Sequence, residues 1–257
     1  MSLKQRLGGG DTLWGSFLKT PSPILVEIFA DAGLDLLCID AEHAPFDRAA
    51  IDLCVMAARA NGLPIIVRTP TAAPEHILNA LDCGADGVLL PHIRSAEEAR
   101  AAVEAAQYGR GGRGYAGSSR AAGYGSIPIP EHLAASARRT VTIVQIEDIE
   151  AVDAINEIVA VPGLDGLFVG RIDLTIALGE TDPNAPTVLA AVERILAAGL
   201  TAKVPVGMFV PKDQDVAHWH AKGARLFLQG SDHSFLRAGA KAARASADLV
   251  SSPCPER

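Results

Sequence analysis

The strongest constraint on the fold of this 257-residue chain is a repeated unit: a helical segment, a glycine and an apolar run. The glycine and the start of the apolar run occur in four segments, which are Gly33-Leu-Asp-Leu-Leu, Gly84-Ala-Asp-Gly-Val, Gly163-Leu-Asp-Gly-Leu and Gly223-Ala-Arg-Leu-Phe. A variant of the same pattern occurs at Gly62-Leu-Pro-Ile-Ile-Val. Glycine just past a helix end adopts the left-handed conformation that ends a helix without a Cβ clash. The repetition predicts a parallel sheet whose strands are joined by crossover helices.

Eight strands and eight helices are predicted in alternation. The strands are predicted at 12–18, 34–40, 65–69, 87–91, 141–147, 166–170, 204–209 and 225–230. The helices are predicted at about 22–32, 48–60, 73–83, 96–107, 151–160, 186–198, 213–222 and 233–249, with Asp47 and Ser95 as N-caps. This pattern favours a closed (β/α)8 TIM barrel over an open doubly wound sheet. No change of composition divides residues 1–257, so we expect a single domain.

One segment, 108–140, interrupts the alternation, because it is too long for a helix-to-strand connection and is rich in Gly, Arg and Ser. Its Gly109-Arg-Gly-Gly-Arg-Gly114 run formally matches a dinucleotide-binding pattern, but no predicted strand precedes it as that pattern requires. Long insertions in compact domains are typically functional or interface loops. We expect a flexible loop that carries Arg113 near an anionic ligand or a neighbouring subunit.

Composition bears on the class of partner. The net charge of −7 disfavours nucleic acid or an anionic membrane. No apolar run approaches the roughly 18 residues of a membrane span, and the polar N-terminus lacks a signal-peptide pattern. Three of the four cysteines lie in apolar segments, which is typical of buried, reduced thiols. We expect a cytoplasmic protein with no nucleic-acid or membrane partner.

Polar side chains follow the apolar strands at the ends where a barrel binds its ligands. They are Asp40, Glu42 and His43 after the second strand, Arg68 after the third, His92 after the fourth, Gln145 and Glu147 at the fifth, and Arg171 and Asp173 after the sixth. The carboxyl ends of all strands converge on one face of a barrel. We therefore expect these groups to meet at a single site.

Glu147 and Asp173 are candidates for a metal site. Two carboxylates held close together repel one another unless a cation lies between them. A few oxygen ligands, with room for water and substrate, suit Mg²⁺ or Mn²⁺. The alternative is that the two acids pair with arginines or cap the helices that follow.

His43 is a candidate general base, because a carboxylate bonded to one ring nitrogen would orient the ring and raise its basicity. Asp40 is the expected orienting group, and Glu42 is given a structural or water-holding role. The alternative is that His43 is structural. Arg68 could stabilise a developing oxyanion, although a salt bridge to Asp40 or Glu147 would also explain it.

The lysines argue against a Schiff-base mechanism. Of the six lysines in the chain, only Lys19 and Lys212 are expected near the catalytic face. Neither has an obvious desolvating pocket, which an amine nucleophile needs.

These strand-end motifs resemble the HpcH/HpaI family of 4-hydroxy-2-oxoheptanedioate and 2-dehydro-3-deoxyglucarate aldolases. The resemblance spans about Leu13 to Leu236. It rests on Asp40-Ala-Glu-His-Ala-Pro-Phe-Asp47, Val67-Arg68, Leu81-Asp-Cys-Gly-Ala-Asp-Gly87, Gln145-Ile-Glu147 and Gly163-Leu-Asp-Gly-Leu-Phe-Val-Gly-Arg-Ile-Asp-Leu174. The combination of E-H, Q-x-E and G-x-x-D-L in this order is specific, although each motif alone is weak.

The resemblance implies a class II, metal-dependent pyruvate aldolase on a (β/α)8 barrel, acting on a 2-oxo acid and an aldehyde. It implies Mg²⁺ or Mn²⁺ as the cofactor, with Co²⁺ or Zn²⁺ as other options. The implied roles are Glu147 and Asp173 as metal ligands, Gln145, Ile172 and Asp173 as substrate contacts, His43 as the base, Arg68 as the enolate-stabilising group, and Asp82 as the group that tunes His43. It also implies a homohexamer, a trimer of dimers with exchanged C-terminal helices.

The chain departs from the family pattern at three places. Arg171 follows Gly170 where proline is usual, and Gly109-Arg110 replaces the usual Pro-Pro after Tyr108. His92 stands where an apolar residue is more typical. These departures bear on the substrate rather than on the reaction class.

Two other functions remain open. A lyase acting on CoA thioesters, related to the citrate lyase β subunit, would need a basic groove, which Arg110, Arg113 and Arg120 could supply. A non-catalytic barrel that binds a small acid would need the pocket alone. The joint presence of His43, Arg68, Glu147 and Asp173 at the strand ends argues against a non-catalytic barrel.

Overall fold

The computed structural model describes residues 1–211 and 213–251. Within them the strands are β1 (Leu13–Leu18), β2 (Leu36–Asp40), β3 (Ile65–Arg68), β4 (Gly87–Leu90), β5 (Val141–Ile146), β6 (Gly166–Val169), β7 (Val206–Val210) and β8 (Ala224–Ser231). Each strand is parallel to the next in chain order, and β1 pairs with β8 to close the barrel. The predicted TIM barrel is confirmed, with every predicted strand in place.

The described residues form helices around the barrel. They are α1 (Leu3–Gly8), α2 (Pro23–Asp31), α3 (Arg48–Ala60), α4 (Pro74–Asp82), α5 (Ala96–Ala106), α6 (Ile129–Arg139), α7 (Ile149–Asp153), α8 (Ile155–Val159), α9 (Arg171–Ala177), α10 (Pro186–Ala202), α11 (Asp213–Ala221) and α12 (Asp232–Ser251). Asp47 and Ser95 cap α3 and α5 as predicted, each accepting a backbone N–H bond.

Three of these helices, α1, α6 and α9, lie outside the predicted pattern, and the predicted helix 151–160 is split into α7 and α8. α1 is short and is held by a capping box between Ser2 and Gln5. Only Gly170 separates the end of β6 at Val169 from the start of α9 at Arg171, so no turn marks the start of this helix. α1, α7, α8 and α9 have five to seven residues each, which is too short for an apolar period to show in a sequence, whereas α6 has 11 residues and lies within the insertion.

Side chains along each strand alternate between two apolar layers. In β2, Leu36 and Cys38 face the barrel interior, where Phe168 also packs. Leu37 and Ile39 face the surrounding helices. This alternation is the two-residue period of a strand, and burial of both faces explains the continuous apolar runs in the sequence.

The cysteines follow the prediction where the structure describes them. Cys38, Cys54 and Cys83 are buried and form no disulfide among the described residues, whereas Cys254 lies outside those residues, as does the sequence candidate Lys212. No helix in the described part of the chain combines the length and apolar composition needed to cross a membrane.

The insertion 108–140 lies at the end of the barrel where the strands begin, because it joins α5 to the start of β5. It contains a 3-10 turn, Gly123–Gly125, followed by α6. The buried guanidinium of Arg113 donates to the Asp82 carboxylate at 2.5 Å and lies 4.6 Å from the ring centroid of Tyr108. Within one chain Arg113 is thus held by an internal ion pair, rather than reaching out from a flexible loop to a ligand.

We predict that Gly87→Ala lowers the free energy of unfolding by about 1–3 kcal/mol, as overpacking of a core does. A Cβ atom at this position would lie 2.8 Å from the Cβ of Val141 and closer still to its carbonyl oxygen, so the pairing of β4 with β5 would have to shift. Urea denaturation followed by circular dichroism measures the change. The control is Gly8→Ala, where the added Cβ meets nothing within 4 Å. Equal losses in the two variants would contradict the prediction.

Candidate active site

The carboxyl ends of the strands surround a cavity of about 370 Å³. Its lining contains six residues that the sequence places at the site, which are His43, Arg68, Gln145, Arg171, Ile172 and Asp173. The remaining lining residues are Phe17, Lys19, Phe168, Val169, Gly170, Phe209 and Pro211. Three aromatic rings close the inner end, since the ring centroid of Phe17 lies 6.4 Å from that of Phe168 and 6.0 Å from that of Phe209. The cavity therefore has an aromatic floor and a polar rim.

Asp40, the last residue of β2, is fully buried and connects three strand ends. Its Oδ1 accepts hydrogen bonds from Arg68 Nε at 3.0 Å and from the backbone N–H of His43 at 3.1 Å, and its Oδ2 lies 2.7 Å from Lys19 Nζ. Burial raises the pKa of Asp40, but the charge of Arg68 and the bonds from Lys19 and His43 outweigh burial and lower the pKa overall. Asp40 is therefore ionised, and it fixes the backbone of His43 rather than its ring.

Glu42 is the carboxylate that faces the ring of His43. Its Oε2 lies 3.6 Å from Nε2 of His43 and 3.4 Å from Nε of Arg68, and its Oε1 lies 3.8 Å from Nε2 of His92. Burial raises the pKa of Glu42, and the charge of Glu147 adds to this against the opposing effect of Arg68 and the two histidines. The ring-orienting role expected of Asp40 thus fits Glu42 better.

Glu147 is buried and does not itself line the cavity, but it contacts Gln145, which does. Its Oε2 accepts a short hydrogen bond from Gln145 Nε2, and its Oε1 accepts the backbone N–H of His92 at 2.9 Å. A Cβ atom at Gly170 would lie 2.7 Å from Oε2, so a glycine is needed beside this carboxylate. The buried Oε1 of Gln145 has no hydrogen-bond partner among the described residues, which leaves an acceptor in the wall of the cavity.

His92 has a left-handed backbone, with a φ of 54°, which is unusual for a residue that carries a Cβ. This conformation directs its N–H to Glu147. Its Nδ1 lies 3.1 Å from Asp148 Oδ2 and 3.4 Å from Glu147 Oε1. Burial lowers the pKa of His92, but the bond to Asp148 and the charges of Glu147 and Glu42 raise it by more. The sequence marks His92 as a departure from the family pattern, and the structure places it against two strand-end acids.

Two sets of donors near the mouth include Glu147. The predicted pair is Glu147 with Asp173, which lies in the first turn of α9 and lines the cavity. The second set is His92, Glu147 and Asp148, whose donor atoms lie within 4.8 Å of one another. Carboxylate oxygens suit Mg²⁺ or Mn²⁺, and an imidazole suits Zn²⁺ or Co²⁺. The donor chemistry therefore fits a divalent cation, and Glu147 belongs to both sets.

Asp82 lies at the opposite end of the barrel from the cavity. It is the last residue of α4, and the nearby Asp86 carboxylate accepts the N–H of Ile65 at the start of β3. Its own carboxylate accepts the Arg113 guanidinium. Asp82 and His43 therefore do not meet within one chain, and the role of Asp82 stays a prediction that requires contact between chains.

Lys19 is a site residue to which the sequence assigns no role. It follows β1 and lines the cavity, with its ammonium held by the ionised Asp40. The backbone N–H groups of Lys19 and Thr20 donate to the Asp232 carboxylate at 2.7 and 3.0 Å, which anchors this strand end. A lysine bound to a carboxylate does not suit a Schiff-base mechanism, which needs a free amine. The sequence feature that could have identified Lys19 as a site residue is its position as the first polar residue after the apolar run of β1.

The model of one protein family matches residues 13–238, and its description is HpcH/HpaI aldolase/citrate lyase. The chain belongs to the HpcH/HpaI family. It is 34% identical over 232 residues to a hydroxypyruvate/pyruvate aldolase of Roseovarius nubinhibens, with 90% of each chain covered. It is 35% identical over 227 residues to a 5-keto-4-deoxy-D-glucarate aldolase of Salmonella arizonae, with 88% of each covered.

A solved structure gives the same result for the fold. The crystal structure of an HpcH/HpaI aldolase/citrate lyase family protein from Burkholderia cenocepacia is 37% identical, with a TM-score of 0.90, and the match covers 97% of this chain and 99% of that one. The predicted family is confirmed, as is the predicted enzyme class, a carbon–carbon lyase of the aldolase type.

We predict that His92→Asn makes the metal-free protein less stable at low pH and has a smaller effect as the pH rises. Because the carboxylates raise the pKa of His92 in the folded protein, its contribution is fully present below about pH 6.5, the ordinary value for histidine. It is lost as the pH rises through the folded-state pKa. The effect should be below about 1 kcal/mol for this half-exposed ion pair, and asparagine tolerates the left-handed backbone. Urea titrations with chelator from pH 5 to 9 measure it, and a destabilisation that grows with pH would refute the prediction.

Proposed function

We propose that this member of the HpcH/HpaI family is a divalent-metal-dependent aldolase. It cleaves or forms 4-hydroxy-2-oxo acids, with a pyruvate- or hydroxypyruvate-type donor and an aldehyde as the other component. The observation that carries the proposal is the convergence of His43, Arg68, Gln145 and Asp173 on one cavity at the carboxyl ends of the strands. The names of the aldolase relatives support the substrate class.

Glu147 and Asp173 would hold the cation. The set with His92 and Asp148 is the weaker candidate, because Asp148 is already paired with both His92 and Arg94. When bound, a divalent cation supplies Lewis-acid polarisation of the 2-oxo group. Mg²⁺ and Mn²⁺ suit two carboxylates best, with Co²⁺ and Zn²⁺ as other options. The unpartnered Oε1 of Gln145 is placed to accept a hydrogen bond from the substrate or from water.

His43 supplies the base. Its side chain is half exposed at the rim and its backbone is fixed by Asp40. During cleavage the imidazole accepts the proton of the 4-hydroxyl group, directly or through water, as the C3–C4 bond breaks. The electron pair of that bond passes to the enolate of the 2-oxo acid, and C4 leaves as the aldehyde. Protonation at C3 then gives the 2-oxo acid product, and the reverse order forms the C–C bond.

Arg68 supplies fixed positive charge where the enolate oxygen develops. Its guanidinium is 2.8 Å from Asp40 Oδ1 and lies over the ring of Phe17 at 4.7 Å, so its position is set before substrate arrives. Preorganised charge in a water-poor site is worth more than the same charge in water. Gln145 and the backbone of Ile172 and Asp173 complete the proposed substrate contacts.

The CoA-lyase alternative loses support from the structure. Arg113 is buried against Asp82, and Arg120 makes a bidentate pair with Asp52 at 2.9 and 2.5 Å. Two of the three arginines that would form the basic groove are therefore neutralised within the chain. Because their segment joins α5 to β5, they also belong to the end of the barrel away from the cavity.

We further propose that the chain works as a homo-oligomer, a hexamer built as a trimer of dimers, in the cytoplasm. Residues 235–246 of α12 are exposed, including Leu236 at 75%, so this helix presents a surface that another chain could cover. Contact between chains is also what would bring Asp82 to a His43.

We predict that His43→Gln lowers kcat for retro-aldol cleavage of a 4-hydroxy-2-oxo acid by about 10²–10⁴-fold, the usual contribution of a general base. Pyruvate release coupled to lactate dehydrogenase measures the rate. The matched control is His76→Gln on α4, which should stay within about 2-fold of wild type because its ring does not line the cavity and, among the described residues, bonds Thr71 alone. Full activity in His43→Gln, or in excess chelator, would overturn the proposed mechanism.

We predict that Glu147→Gln and Asp173→Asn each raise the Kd for Mn²⁺ by at least the roughly 10- to 100-fold that loss of a supporting group costs a metal site. Titration calorimetry on the metal-free protein gives the Kd without depending on turnover. The matched control, Asp148→Asn, removes the same charge from the other donor set and should change the Kd by about 2-fold or less. A larger effect of Asp148→Asn than of Asp173→Asn would move the cation to the His92 set.

A further inference from the structure

We propose that Lys19 is a positioning residue for enolate formation, and that it acts by offsetting the negative charge that Asp40 places on Arg68. This inference rests on the proposed aldolase function and adds a residue to its machinery. Phe17 belongs to β1 and Lys19 follows it two residues later, so both side chains point to the same face and line the cavity. Arg68 lies over the ring of Phe17, and Lys19 reaches the carboxylate beside it.

Arg68 alone does not offset the acids that surround it. Its guanidinium lies 2.8 Å from Oδ1 of Asp40 and 3.4 Å from Oε2 of Glu42. Two carboxylates that face one guanidinium leave a net negative charge, and such a cluster repels an enolate oxygen as its charge develops. A second cation on this cluster is therefore needed if Arg68 is to stabilise the enolate.

Lys19 is that second cation. Its Nζ lies 2.7 Å from Oδ2 of Asp40, whereas Arg68 contacts Oδ1, the other oxygen of the same carboxylate. The Asp40 side chain is fully buried, so water does not screen its charge and the balance depends on these neighbours. With Lys19 in place the two cations balance the two carboxylates, and Arg68, which lines the cavity, can act on a ligand there.

The position of Lys19 is fixed at its backbone as well as at its side chain. The backbone N–H groups of Lys19 and Thr20 donate to the buried carboxylate of Asp232 at 2.7 and 3.0 Å, in the first turn of α12. Ordering a lysine side chain costs rotamer entropy, and here the backbone that carries it is already anchored. A charge held in this way stabilises a developing charge without reorganising during the reaction.

The test follows the exchange of the methyl protons of pyruvate in D₂O by NMR with saturating Mg²⁺, which measures enolate formation without an aldehyde. Lys19→Met should lower the maximal exchange rate by about 10- to 100-fold, the value of a hydrogen bond to a charged group. The KM for pyruvate should change by about 2-fold or less, because the charge acts mainly on the enolate. Lys19→Arg should recover most of the rate, which a covalent role for the amine would not allow. An unchanged rate in Lys19→Met, or no recovery in Lys19→Arg, would overturn the proposal.

The matched control is Lys4→Met, at the end of the barrel where the strands begin. Lys4 pairs with Asp165 at 3.0 Å, and its side chain is 28% exposed, as is that of Lys19. This variant loses the same charge from an equally exposed ion pair, so its exchange rate should stay within about 2-fold of wild type. A loss as large as that of Lys19→Met would contradict a role specific to the site.

A double-mutant cycle tests whether Lys19 acts through Asp40. In an Asp40→Asn background Lys19 has no carboxylate to offset, so the further change Lys19→Met should alter the exchange rate by about 2-fold or less. The full 10- to 100-fold loss in that background would mean that Lys19 acts on the substrate directly, and the assigned route would be wrong.

Titration calorimetry separates this proposal from the function on which it rests. Oxalate is a planar dianion that resembles the enolate of pyruvate, so Lys19→Met should raise its Kd in the presence of Mg²⁺ by about 10-fold or more. The Kd for pyruvate should rise by about 2-fold or less. If the wild type catalyses neither exchange nor aldol cleavage, the aldolase proposal fails, yet this selective loss of oxalate binding still supports the role of Lys19. Equal oxalate affinity in the two proteins overturns it.

Discussion

The candidate site depends on one buried carboxylate, that of Asp40. It belongs to β2, and it binds a cation that follows β1 and another that ends β3. Removing one partner from a buried ion pair costs about 3–5 kcal/mol, because the remaining charge is left without compensation. Lys19 and Arg68 therefore hold their positions because Asp40 is ionised between them. The backbone of His43 bonds the same carboxylate, so the location of His43, the proposed base, follows from the same interaction.

The barrel that supports this network is the part of the structure that local sequence pattern predicts well. Gly33 and Gly163 take up the positive φ expected of a residue that ends a helix before a strand, at 76° and 87°. Strands buried on both faces must be apolar at every position, so each one stands out as a continuous run. Once the strands are placed, barrel geometry brings their ends together, and that is why His43, Arg68, Gln145 and Asp173 could be assigned to one cavity from the sequence.

Most pairings inside the site could not be predicted, because they depend on how strand ends and turns orient their side chains. The sequence offers the salt bridge between Arg68 and Asp40 only as an alternative role for Arg68, and the structure contains it. Asp40 and Glu42 are both close to His43 in sequence, and only the turn after β2 decides which of them faces the ring. Asp82 is the opposite case. Its motif resembles that of the family, yet its partner within the chain lies 31 residues away in an insertion that shows no regular period. Family resemblance alone suggests its role, and its place at the end of α4, just before β4 begins, puts it at the opposite end of the barrel from the cavity.

The aromatic floor of the cavity has a kinetic consequence. Phe17, Phe168 and Phe209 close the inner end of the barrel, so whatever reaches the polar rim has entered from one side. An aldol reaction has two components, and both must then use the same entrance to the cavity. In the proposed mechanism, the 2-oxo acid held against the strand-end carboxylates would have to enter first and leave last, and the aldehyde would enter and leave above it. A barrel that is closed at its inner end would therefore impose an ordered sequence of substrate binding and product release.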